Sequence, residues 1–67
     1  MDWESHRIVT RVTRKFRARV FTLTKSFVVR VPLGLYASRD MTFYSMEKLE
    51  VWVRNRGWRL EKVSHFS

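Results

Sequence analysis

Apolar and polar residues alternate along RIVTRVTRKFRARV, from Arg7 to Val20, with the period of an extended strand. The even positions Ile8, Val12, Phe16, Ala18 and Val20 supply an apolar face; the odd positions Arg7, Arg11, Lys15, Arg17 and Arg19 supply a cationic one. Arg14 breaks the alternation. At about 14 residues the segment also exceeds the usual strand length, so a bulge or break near Thr13-Arg14-Lys15 is expected to divide it into Arg7 to Val12 and Lys15 to Phe21. A polar connection through Ser26, without an Asn-Gly or Asp-Gly pair, reads as a loose hairpin loop.

A second strand is predicted from Phe27 to about Val31. Pro32 cannot donate to a ladder, which puts this strand at an edge or bends it. That edge leaves dimerisation open. Residues 37 to 45 offer Ser38, Asp40, Thr42 and Ser45 as helix caps, so a helix is predicted to start between Asp40 and Ser45. From Met46 to Arg56 the period becomes helical, with Met46, Leu49, Trp52 and Val53 on one stripe and Val51 on the polar side. Arg54 and Arg56 complement the dipole of the last turn, and Gly57 supplies the left-handed stop. Trp58 and Leu60 then alternate with Arg59 and Glu61 as in a closing strand. Residues 1 to 6 show neither period and read as a loose lead-in.

These elements predict one small α+β domain over residues 1–67: an antiparallel sheet of about three strands, with one helix across its apolar face, in the order β-β-α-β. A chain of this size buries only roughly 60% of the surface it exposes when unfolded, so its stability is marginal. With no cysteine, disulfides and thiolate metal sites are excluded. No window approaches the ~18 to 20 apolar residues of a membrane span, and the amino terminus lacks a signal-peptide pattern. The expected location is the cytoplasm, or the host cell cytoplasm if the protein is viral.

Charge sharpens the picture. Fourteen Lys plus Arg against six Asp plus Glu give a net charge of +8, most of the positive charge being arginine. Arginine offers a planar fork of donors suited to phosphate or carboxylate. With the helix on the apolar face, Arg7, Arg11, Lys15, Arg17, Arg19, Arg30 and Arg59 are expected to share the open face of the sheet, spaced by roughly 6.6 Å along a strand. Such an array can meet several phosphates of a nucleic acid or a ribonucleoprotein, or an acidic protein surface.

Phe16 and Phe27 fall on the expected core face and no motif of an RNA-stacking platform is present, so base stacking on the sheet is not expected. Phe21, Tyr36, Tyr44 and Trp3 remain as candidates for an exposed ring. Contacts are therefore expected to go to the backbone. Catalytic candidates are few: His6 and His65, with Asp2, Glu4 or Asp40, make at most a weak acid-base pair or metal site. No glycine-rich phosphate loop, HExxH or nucleophile elbow occurs. No enzymatic activity and no cofactor are expected. A helix of mixed charge also argues against a membrane-surface role.

The order hairpin, helix, glycine-aromatic, strand, most clearly in SMEKLEVWVRNRGWRLEKV from Ser45 to Val63, resembles the build of small bacteriophage proteins. In particular it is similar to the small podophage inhibitors of host RNA polymerase, in which one helix packs on a three-stranded sheet. That resemblance implies an inhibitor docking on a host protein, with Arg56 and Arg59 at the contact.

Overall fold

The computed structural model describes residues 3–63. Its elements are β1 (Trp3–Thr10), β2 (Phe16–Thr22), β3 (Phe27–Pro32), β4 (Ser38–Phe43), α1 (Met46–Asn55) and β5 (Trp58–Lys62). The expected three strands in the order β-β-α-β are corrected to five. All strands pair antiparallel in a single sheet of order β4-β3-β2-β1-β5, and α1 carries the chain from one edge strand to the other. Residues 3 to 6, expected to be a loose lead-in, belong to β1.

The long alternating stretch is a hairpin. It leaves the ladder at Arg11, turns through a left-handed Arg14 (φ 57°), and re-enters at Phe16. The Thr10 N–H donates to the Lys15 carbonyl at 2.9 Å, and the Lys15 N–H donates back to Thr10 Oγ1 at 2.9 Å. Arg14 is thus a turn residue, which is why it interrupts the pattern.

The strand missing from the sequence reading is β4. Ser38, Asp40 and Thr42, taken there as helix caps, are outlying positions of an edge strand, whereas Met41 and Phe43 pair with Val29 and Phe27 on the helix side. Consequently β3 lies inside the sheet and not at its edge; Pro32 is tolerated because it is the last residue of the strand.

One apolar face is covered by α1. Ile8, Ala18, Val20 and Val29 from the central strands meet Leu49 and Val53 of the helix, all of them buried. Trp52, Trp58, Phe43, Met46 and Leu60 pack around them. The helix begins at Ser45, whose Oγ accepts from the Lys48 N–H at 3.4 Å, and it stops at Gly57 (φ 74°), whose N–H donates to the Arg54 carbonyl at 2.9 Å.

Two irregularities in the β1–β2 pairing decide what reaches each face. Glu4 pairs with Phe21 and His6 with Val20, so Ser5 is an extra residue in β1. Ile8 pairs with Ala18 and Val9 with Phe16, so Arg17 is an extra residue in β2. Beyond Ala18 toward the start of the strand, the alternation is inverted.

Candidate nucleic-acid interface

Across the open face the ladder brings five charged residues into one rung. Asp40 pairs with Arg30, Arg30 with Arg19, Arg19 with Arg7, and Arg7 with Glu61. Three arginines from three adjacent strands therefore stand side by side, with a carboxylate at each end. Directly opposed like charges destabilise a sheet. The surroundings offset part of that cost: Arg30 donates to Asp40 through Nε at 3.0 Å and Nη2 at 3.3 Å, while Glu4 Oε2 sits 2.9 Å from Arg7 Nε and 3.9 Å from Arg19 Nε. Hydrogen bonding from Arg30 holds the Asp40 carboxyl below its usual range.

Aromatic rings lie beneath the row. The Arg19 guanidinium is 5.7 Å from the centroid of Phe16, and that of Arg30 is 5.2 Å from Phe21. The alternation alone puts Phe16 in the core; the extra residue at Arg17 turns it outward, where it is 45% exposed. Phe16 thereby joins Phe21, one of the rings expected to be exposed, among the arginines.

The other predicted cations separate from the rung. Arg59 pairs with Val9 on the same open face, its Nε 3.7 Å from Glu61 Oε2. Arg11 leaves the strand in the β1–β2 turn and its Nε donates to the Trp58 carbonyl at 3.5 Å. Lys15 closes that turn and is exposed. Arg17 reaches the helix side, 5.7 Å from the Trp58 ring, and Arg56 at the end of α1 lies 4.8 Å from Trp52 and 5.5 Å from Trp58. Of the eight predicted positions, then, Arg7, Arg19, Arg30 and Arg59 share the open face, whereas Arg11, Arg17 and Arg56 gather around Trp58 at one end of the sheet. A concavity of about 450 Å³ between Arg11, Arg54, Trp58 and Arg59 links the two groups.

The sequence offers Glu4 as a partner for a nearby arginine and Glu61 as an outward residue of the closing strand; Asp40, a candidate helix cap there, joins them on the open face only through β4. Arg14, read only as a break, places Nη2 at 2.7 Å from Glu61 Oε2. The charge of this face is therefore more mixed than the arginine spacing implied.

For catalysis the described residues offer little. No group of three His, Cys, Asp or Glu side chains able to hold a metal occurs among them. His6 is half-buried against Ser5, its Nδ1 2.9 Å from Ser5 Oγ, and His65 and Asp2 lie outside the described residues. Among the described residues no helix is long and apolar enough to cross a membrane. Compared with known protein families, curated proteins and solved structures, the chain matches none.

Proposed function

We propose that this protein is a non-enzymatic nucleic-acid-binding module that grips the phosphate backbone with the arginines of its open sheet face. The observation that carries the reading is the juxtaposition of Arg7, Arg19 and Arg30 on one rung. Folding alone gains nothing from aligning three like charges on adjacent strands, whereas a polyanion laid across them meets three guanidinium groups, with phosphate oxygens taking over donors that Asp40 and Glu4 hold in the isolated chain. The net charge of +8 adds long-range attraction.

The test is the salt dependence of binding to generic DNA and RNA oligonucleotides. Affinity is expected to fall steeply between low and physiological salt, and Arg7→Ala and Arg19→Ala are each expected to reduce the slope by about one. Tight binding that ignores salt overturns the reading.

A second reading is favoured by the exposed apolar side chains of Leu33, Leu35 and Tyr36, which suit a protein partner. It has the module docking on an acidic host-protein surface, such as one on RNA polymerase, in the manner of a phage-type inhibitor. Capture from nuclease-treated lysate separates the two: a protein partner that survives nuclease supports the inhibitor, and loss of every partner supports nucleic acid.

A further inference from the structure

Beside the arginine row, the β3–β4 hairpin turn stands over the start of β2. The Leu33 N–H donates to the Ala37 carbonyl at 2.9 Å and closes this turn. Between it and the sheet lies a concavity of about 390 Å³, lined by Phe16, Leu35 and Tyr36, with Arg19 and Arg30 among its walls. Tyr36 is fully exposed, Leu35 is 93% exposed and the ring of Phe16 is half out of the core. None of the three is among the residues that build the core.

We infer that the partner is a single strand, and that one of its bases stacks in this concavity against Phe16 and Tyr36. The inference rests on the nucleic-acid reading above and narrows it to a substrate class. Three features argue for it.

First, the rings and the cations are interleaved. Arg19 lies over Phe16 and Arg30 over Phe21, so a base placed against the free part of the Phe16 ring has guanidinium groups at hand for its own phosphate. Stacking platforms for single strands combine these two elements, because every base has a π face and every nucleotide a charge.

Second, a duplex cannot use the rings. Its bases are already stacked on one another, and only a base that is free to turn out can present its face to the rings that line the concavity.

Third, the cationic strip is narrow. Arg7, Arg19 and Arg30 span two inter-strand spacings, about 10 Å, and the rung ends in carboxylates on both sides, Asp40 and Glu61. One phosphate backbone fits that track.

The experiment compares binding of a 12-residue oligothymidylate, a duplex of equal length and polyglutamate at matched salt. The single strand is expected to bind at least tenfold more tightly than the other two. Phe16→Leu keeps an apolar side chain in the half-exposed position while removing the ring, and Tyr36→Ala alters a side chain wholly in solvent, so neither disturbs the fold; circular dichroism confirms this for each. Each variant is expected to lower single-strand affinity roughly tenfold with the salt slope unchanged, as loss of stacking without loss of charge requires. A 2-aminopurine placed in the oligonucleotide should be quenched by the wild-type protein and less so by either variant.

Equal affinity for the duplex, indifference to both ring substitutions or an unquenched probe overturns the single-strand inference and leaves the phosphate-binding reading standing. Preference for polyglutamate, or no binding to any nucleic acid, overturns both.

Discussion

Val9 pairs across the sheet with Phe16, one residue beyond the partner that the Ile8–Ala18 pair next to it would dictate. Arg17, the residue skipped, leaves the open face for Trp58, and Phe16 takes its place among the arginines. Val9 is only 5% exposed although it faces away from the helix, between Phe16 and Arg59. The open face thus has a small apolar centre of its own. Val9→Thr, which keeps the shape and adds a hydroxyl, is expected to cost about 1–3 kcal/mol by urea unfolding. A cost near zero would mean that this face is solvated throughout.

Gly57 makes the turn from helix to closing strand at a φ of 74°, and a Cβ added there meets nothing within 4 Å. The penalty for alanine is therefore conformational and not steric. Gly57→Ala is expected to destabilise by about 1–2 kcal/mol, and so to lower Tm by roughly 4–8 °C per kcal/mol. Gly34→Ala is the control: its Cβ also meets open space, without a left-handed backbone, and it should leave Tm unchanged or slightly raised.

What could be read from the sequence followed local rules. The helix stripe of Leu49 and Val53, the Ser45 cap and the Gly57 stop all depend on residues within a few positions of one another, and all are in place. The inward set Ile8, Ala18 and Val20 also follows from alternation. The errors lie where pairing is set at a distance. Ser38, Asp40 and Thr42 serve equally well as caps or as outward residues of an edge strand; only β3 alongside settles it, through pairs such as Arg30 with Asp40. Phe16 changes face because of one extra residue whose position depends on the register with β1. For the same reason Asp40 could not be seen to join Glu4 and Glu61 among the arginines.

Glu61 occupies one end of the arginine rung, with Arg14 Nη2 at 2.7 Å and Arg59 Nε at 3.7 Å from its Oε2. As a carboxylate it competes with phosphate for both guanidinium groups. Glu61→Gln is expected to raise oligonucleotide affinity several-fold at low salt and to steepen the salt slope, since cations then available add to the counterions released. Folding stability should change by less than about 1 kcal/mol, because the arginine partners are largely exposed. Unchanged or weakened affinity would place the contact surface elsewhere.

His6 gives the fold a pH dependence of known sign. It pairs with Val20 and with Lys62, and it is partly buried; that burial, with the Lys62 ammonium nearby, holds its pKa below the ordinary 6.5, against a smaller opposing pull from Glu50. The folded chain therefore binds this proton less readily than the unfolded chain does. The associated stability is complete above pH 6.5 and is lost as pH falls through the folded-state pKa, since in that interval the unfolded state carries more protons. Tm is expected to fall between pH 7.5 and 5 in the wild-type protein and to fall less in His6→Gln, where no proton is taken up. The interval stops above the range in which carboxylates such as Asp40 titrate, so the difference between the two curves isolates the imidazole. Parallel curves for the two proteins would show that His6 is equally easy to protonate in both states, contrary to its position between Val20 and Lys62.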